Sequence, residues 1–191
     1  MALYLVRHGE TAWNVEGRLQ GQQDIPLNGR GRQQAEAVGH RLRKLIPDPS
    51  GVDFVASPLG RARETMEIMR ASMRLDRAGY RLEPSLAELT FGDWEGLTWP
   101  EVMARDPAGA RAREADKWGF QPPHGESYAM LKDRLMPFVE SLALPAVLVS
   151  HGGVARVLLA ALGGVPTDVA PLVDIQQGRV LILDAGRYSW D

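Results

Sequence analysis

Two histidines, two arginines and a glutamate are the residues here whose types and placement could do chemistry. His8 ends the run Leu3-Tyr-Leu-Val-Arg7 and is followed by Gly9. His151 ends the run Ala146-Val-Leu-Val-Ser150 and is followed by Gly152-Gly153. Each alone reads as an ordinary loop histidine. The chain has four histidines, however, and two of them share this grammar of apolar run, histidine and glycine. Runs of this kind suit buried strands of a parallel sheet. Ligands of open α/β sheets sit just beyond the carboxyl ends of such strands. Arg61 lies in Ser57-Pro-Leu-Gly-Arg61, just after a third short apolar run, and Glu88 lies in Ala87-Glu88-Leu-Thr-Phe-Gly92-Asp-Trp-Glu-Gly96.

Arginine forks match phosphate oxygens in shape and charge. A helix opening after Gly152-Gly153 adds amide N–H donors and a positive dipole end. The expected ligand is therefore a phosphate dianion held by Arg7, Arg61, the histidines and the Gly152 end of that helix. Neither histidine has a metal-ligand partner at short spacing, so no metal site is expected. No Gly-x-x-x-x-Gly-Lys or Gly-x-Gly-x-x-Gly follows strand one, and the close glycines of Asn28-Gly-Arg-Gly read as a helix start. With no cysteine in the chain, the nucleophile for phosphoryl transfer is a neutral histidine. Neighbouring arginines favour that neutral form. A carboxylic acid must then protonate the departing alkoxide. Monoester hydrolysis needs up to ~10²¹-fold acceleration, about 29 kcal/mol. A general acid supplies about 10²–10⁴-fold, so positioning and charge stabilisation must supply most of the rest.

These groups need a scaffold that brings distant segments to one edge. Strands are expected at residues 2–7, 52–57, 80–84 and 146–150, with two more at 172–176 and 179–184 turning at Gln177-Gly178. A helix opens at Asn28, its N-cap, with Ala35, Val38, Leu42, Leu45 and Ile46 on its apolar face. A second helix, with Ser57 as cap and Pro58 in its first turn, runs to Arg74. Further helices are expected over 126–143 and 153–163, and one or two short ones between 98 and 117. The alternation implies an α/β fold, a three-layer α/β/α sandwich around a mostly parallel central sheet. The length fits one domain over residues 1–191. Residues 85–125 are irregular and rich in Trp, Gly and Pro, and read as a substrate-side insertion or lid.

In order and spacing, the motifs resemble the histidine phosphatase superfamily, also called the phosphoglycerate mutase-like family. The resemblance runs through Leu5-Val-Arg7-His8-Gly9-Glu-Thr11-Ala-Trp-Asn14, Leu19-Gln20-Gly21, Ser57-Pro58-Leu-Gly-Arg61-Ala62-Arg-Glu-Thr65, Glu88-Leu-Thr-Phe-Gly92-Asp-Trp94-Glu95-Gly96, Gly125-Glu126-Ser127 and Ser150-His151-Gly152-Gly153. It implies that His8 is the nucleophile and is transiently phosphorylated. Arg7, Arg61 and His151 would hold the phosphoryl group, and Glu88 would be the proton donor. Asn14 and Gln20 match positions with polar contacts near the phosphate. The Gly9 carbonyl would orient the nucleophilic ring and fix its tautomer. Glu95, close to Glu88, could be mistaken for the acid; the motif, not the spacing, selects Glu88. One departure is Pro123-His124-Gly125-Glu126, where relatives commonly carry two glycines; His124 reads as a solvated loop residue.

The short chain and its Phe91-Gly-Asp-Trp-Glu-Gly-Leu-Thr98 stretch resemble the phosphatase branch, which includes broad-specificity and α-ribazole-phosphate phosphatases. Cofactor-dependent mutases of the family are longer, with an insertion after the acid. The expected activity is metal-independent hydrolysis of a small phosphate ester, with no cofactor. A phosphoglycerate mutase and a non-catalytic phospholigand-binding protein are the alternatives. A net charge of −2 gives no field for nucleic acid. No apolar stretch reaches membrane-spanning length. A cytoplasmic protein, with a homodimer as one possible assembly, is the corresponding expectation. His40, mid-helix among basic residues, reads as surface, and Arg63 as either a pocket-rim residue or an exposed helix arginine paired with a nearby acid. Met66, Met69 and Met73 read as packing. Trp94, Trp99 and Trp118 stand between substrate wall and core.

Overall fold

A computed structural model describes residues 2–191. Strand β1 (Leu3–Arg7) is followed by a short helix α1 (Ala12–Glu16) and a long helix α2 (Gly29–Leu45). Then come β2 (Asp53–Ala56), α3 (Gly60–Ser72) and a two-residue β3 (Arg81–Leu82). Helices α4 (Trp99–Arg105) and α5 (Pro107–Ala115) precede α6 (Tyr128–Ser141), β4 (Ala146–Ser150) and α7 (Gly152–Leu162). A hairpin of β5 (Val180–Asp184) and β6 (Arg187–Trp190) closes the chain. The six strands form one sheet in the order β3-β2-β4-β1-β5-β6. Pairs β2–β3, β2–β4 and β1–β4 are parallel, whereas β1–β5 and β5–β6 are antiparallel.

Side-chain alternation builds the three layers. Leu3 and Leu5 of β1 join Ala146 and Leu148 of β4 in a core shared with Leu131 and Leu135 of α6 and Leu158 of α7. On the other face, Val6, Val147, Val149, Phe54 and Ala56 pack against Val38 and Leu42 of α2 and Met66, Met69 and Met73 around α3. Successive residues of a strand point to opposite faces, so one sheet feeds both cores. Asn28 caps α2 by accepting from the Gly31 N–H at 2.8 Å. Residues 85–125 carry a satellite core of Trp94, Val102 and Ala110, packed by Leu19, Phe91, Leu97, Trp99 and Phe120. Trp94 stacks on Phe120 and meets Trp99 edge-on, which places both tryptophans in packing.

Two expectations fail for informative reasons. The segment 172–176 is not a strand: a 3₁₀ turn at Ala170–Leu172 leads into irregular chain, and the hairpin turns at Ala185-Gly186. Val173 and Ile175 do alternate, but their carbonyls accept from Arg156 Nε at 3.0 Å and Arg7 Nη1 at 2.7 Å. Arginines of the site take the acceptors a strand would have offered to a neighbour. Ser57 is likewise not the cap of α3, which begins at Gly60 with Leu59 as its N-cap. Its hydroxyl lies 2.7 Å from His151 Nε2 instead.

Candidate active site

Strand register explains how three distant segments meet. Arg7 of β1 lies opposite Ser150 of β4, and Val149 lies opposite Ala56 of β2. His8 and His151 therefore leave the sheet side by side at its carboxyl edge, with Ser57 one step behind, level with Ser150. Backbone bonds extend the ladder by one step: His8 N–H donates to Ser150 O and Ser57 N–H to Val149 O, each at 2.9 Å. The His8 and His151 rings are 5.2 Å apart between centroids. Both are buried, as is Arg61 from the first turn of α3.

His8 is fixed at one nitrogen and free at the other. Its Nδ1 lies 2.7 Å from Gly9 O. A carbonyl only accepts, so Nδ1 carries the proton and Nε2 keeps its lone pair. The Gly9 peptide is pinned in turn, its N–H donating to Thr65 Oγ1 at 3.0 Å. Gly9 also has to be glycine, because a Cβ there would overlap the Gly31 backbone carbonyl. Burial above all, then the positive charges of Arg61 and Arg7, hold the His8 imidazole well below its usual pKa. The ring is thus neutral at physiological pH, as a nitrogen nucleophile requires.

His151 is polarised the opposite way. Ser57 Oγ accepts from the Leu59 N–H at 3.3 Å, and we assign its own proton to His151 Nε2, the tautomer in which the buried Nδ1 is a donor. That leaves the proton of neutral His151 on Nδ1, which is buried without a protein partner. Burial first, then Arg61, His8 and Arg7, keep this imidazole neutral too. Arg61 donates through Nη1 to Gln23 O at 2.6 Å and through Nη2 to Gly21 O at 2.7 Å. Arg7 donates through Nη1 to Ile175 O. The Nε of each arginine is buried and unpaired.

Among the described residues, four buried side-chain polar atoms lack a protein partner: Arg7 Nε, Arg61 Nε, His151 Nδ1 and Ser85 Oγ. Three of them are donors from the sheet-edge cluster. Each unmet buried donor costs about 1–3 kcal/mol, and a tetrahedral oxyanion among them offers acceptors to all three.

Glu88 reaches the same edge from the loop after β3. Its carboxylate accepts from the Gly153 N–H at 3.0 and 3.1 Å and from the Leu89 N–H at 3.0 Å. Arg134 holds its backbone, donating to Glu88 O and Ala87 O while pairing with Glu126 at 2.7 Å. Gly152 sits against Arg7: a Cβ there would lie 3.7 Å from Arg7 Nε. No group of three or more His, Asp or Glu side chains with metal-binding geometry occurs among the described residues.

Asn14 and Gln20 line up differently from the rest. The Asn14 side-chain oxygen caps α1 through the Thr11 N–H and accepts from Gln177 Nε2. Gln20 Oε1 lies 3.0 Å from Thr11 Oγ1. Their amide oxygens are therefore engaged, and their NH₂ ends remain as donors. His40, Arg63 and His124 are exposed. His124 has φ 56°, a conformation in which glycine is unstrained, and its ring meets the Asp93 carboxylate at 3.1 Å.

Sequence reasoning missed Thr65, Ser57 and Arg156 as parts of this edge. Arg156 follows Gly152 by four residues on α7, the spacing that stacks two positions on one face. Its Nη1 would lie 3.3 Å from a Gly152 Cβ, so it adds a third guanidinium beside Arg7.

Comparison with known proteins agrees over the whole chain. Residues 3–191 match the model of the histidine phosphatase superfamily (branch 1). A glucosyl-3-phosphoglycerate phosphatase of Mycolicibacterium vanbaalenii is 37% identical over 185 residues, covering 90% of this chain and 78% of that protein. An Erwinia tasmaniensis protein named "Probable phosphoglycerate mutase GpmB" is 33% identical over 198 residues, covering 100% of this chain and 87% of that protein. Among solved structures, a mycobacterial glucosyl-3-phosphoglycerate phosphatase complexed with VO3 aligns at a TM-score of 0.82 and 31% identity. That match covers 100% of this chain and 96% of the other.

Proposed function

The chain belongs to branch 1 of the histidine phosphatase superfamily, and from that premise we propose how its sheet-edge residues hydrolyse a small phosphorylated metabolite. His8 Nε2 attacks the phosphorus of a phosphate monoester, and the bond from phosphorus to the ester oxygen breaks. Glu88, in its acid form, gives its proton to that oxygen, and the alcohol leaves. Arg7 Nε, Arg61 Nε, His151 Nδ1 and the Gly152 amide hold the phosphoryl oxygens, with the Asn14 and Gln20 amide groups as further donors. A water molecule then attacks the phosphohistidine while the Glu88 carboxylate takes its proton. The N–P bond breaks, inorganic phosphate leaves, and His8 returns to its neutral form.

What carries this reading is the convergence of a free imidazole lone pair with three buried, unpaired donors. Fixed, buried donors stabilise developing charge without reorganising. Hydrolysis of p-nitrophenyl phosphate tests the reading. Turnover should persist in EDTA, disappear in His8→Ala and fall steeply in Glu88→Gln. Full activity in His8→Ala, or loss of wild-type activity in EDTA, would overturn the mechanism.

The mutase reading has support in the relative named for that activity. It needs a phosphohistidine shielded from water until a second substrate molecule accepts the phosphoryl group. Glu88 is only partly buried, so water reaches the carboxylate that would activate it, which favours hydrolysis. Conversion of 3-phosphoglycerate to its 2-phospho isomer with a bisphosphorylated primer, faster than phosphate release, would reverse the preference. We treat residues 1–191 as one catalytic domain in which residues 85–125 cover the substrate side. A homodimer in a cytoplasmic setting belongs to the same reading and is checked by sedimentation and fractionation. Among the described residues, no helix is long and apolar enough to cross a membrane.

A further inference from the structure

Glu95 resembles a second candidate acid in the sequence, but its carboxylate is otherwise engaged. Oε1 accepts from the Gln22 N–H at 3.1 Å, the Thr90 hydroxyl at 2.8 Å and the Phe91 N–H at 3.1 Å. Oε2 accepts from Gln23 Nε2 at 3.0 Å. Four donors from two separate loops therefore converge on one side chain. The loop of Gly21, Gln22 and Gln23 is the one whose carbonyls hold both terminal nitrogens of Arg61. Gly21 has φ 51°, and a Cβ there would overlap Glu95 Oε1. The carboxylate thus packs directly on the turn that carries one of the two acceptors.

We propose that Glu95 is a positioning residue: it clamps the 21–23 loop so that the Gly21 and Gln23 carbonyls aim the Arg61 guanidinium, Nε first, at the phosphoryl group. This rests on the phosphatase reading for the identity of the anion. The physical logic is that a buried guanidinium takes its direction from the acceptors of its outer nitrogens. Those two carbonyls belong to a surface loop with no helix or strand of its own. Without a clamp, such a loop samples several arrangements. Glu95 joins it to the 88–96 segment, and Gln22 adds a second tie by donating to Glu88 O at 3.0 Å. The clamp therefore spans the arginine and the segment that carries the acid. Glu95 is tied to loop donors through both carboxylate oxygens, so its influence on the phosphoryl group runs through Arg61.

A double-mutant cycle read by binding of inorganic phosphate tests this without any need for turnover. The four proteins are wild type, Glu95→Ala, Arg61→Ala and the double variant. In the wild-type background Glu95→Ala should weaken phosphate binding on the order of 10-fold, a coupling typical of residues sharing one network. In the Arg61→Ala background it should cost less than about 2-fold, because the group it positions is gone. Glu95→Gln keeps a carbonyl acceptor for Gln22, Thr90 and Phe91 and should restore binding to within about 2-fold of wild type. An equal loss in both backgrounds, or unchanged binding in Glu95→Ala, would overturn the proposal. Should Glu95→Ala fail to fold, Glu95→Asp shortens the reach of the clamp and serves in the same cycle. If wild type binds phosphate yet hydrolyses no monoester, the phosphatase reading fails while the cycle still decides the role of Glu95.

Discussion

Replacing Arg61 with methionine should lower the rate and move the pH profile together, and the structure gives the size of one and the sign of the other. Arg61 is 1% exposed, with Nη1 and Nη2 on loop carbonyls and Nε unpaired toward the cluster. Loss of one preorganised donor to a developing oxyanion costs about 10²–10³-fold in kcat, roughly 3–4 kcal/mol. Folding changes less: two carbonyls lose charged donors, but a desolvated cation is removed with them. The charge on Arg61 is also the largest contributor after burial to the depressed pKa of His8. Removing a nearby cation favours the imidazolium, so the His8 pKa should rise in the variant. The protonated ring has no lone pair at Nε2, and activity at acid pH should fall further than at neutral pH. A phosphate monoester has its own ionisation near pH 6, which blurs kinetic profiles. His8 is therefore titrated directly by ¹⁵N–¹H NMR in the free protein. A kcat loss under about 10-fold, far below the donor term, would refute the electrostatic role of Arg61. A His8 pKa that stays put or falls would refute the coupling between the two residues.

Other perturbations probe separate parts of the site. Gly153→Ala places a methyl where the Glu88 carboxylate now sits; turnover should drop about 10- to 100-fold from the misplaced acid, with circular dichroism unchanged. Ser57→Ala removes the donor that sets the His151 tautomer and should lower kcat/KM on the order of 10-fold; an unchanged value would remove Ser57 from the account. Both buried histidines have folded-state pKa values below the ordinary imidazole value. The unfolded chain therefore binds more protons below about pH 6.5, and stability is lost as pH drops below that value until the folded pKa is reached. Each such histidine contributes at most about 1.4 kcal/mol per pH unit. Thermal denaturation of His151→Gln should show a shallower acid slope than wild type, and identical slopes would contradict the neutral buried pair.

The sequence made the sheet edge readable because its signals are local. Apolar runs ending in Arg7-His8 and Ser150-His151 announce strands and their ends, and Asn28 announces the start of α2. Parallel pairing of those strands follows from the helices between them. What stayed hidden depends on long-range partners. Ser57 looks like a cap because serine before a Pro-led helix is the usual local reading; only the register of β2 against β4 brings it to His151. Val173 and Ile175 have strand periodicity, yet Arg156 and Arg7, neighbours in space, take their carbonyls. Glu95 and Glu88 are chemically alike seven positions apart. What separates them is the four donors around one and the α7 amide beside the other, and no spacing rule encodes that. Arg156 had the right helical offset from Gly152 but no local signal that Arg7 would lie next to it.

The proposed mechanism turns on a covalent bond from His8 Nε2 to phosphorus. Rapid quenching of the protein during turnover of a labelled monoester, followed by mass spectrometry under alkaline conditions, reads it directly. The expected outcome is an acid-labile phosphoryl group on His8, attached at Nε2, that accumulates when Glu88→Gln slows its hydrolysis and is absent from His8→Ala. Label on another residue, or steady phosphate release with no phosphorylated protein in wild type or in Glu88→Gln, would contradict it.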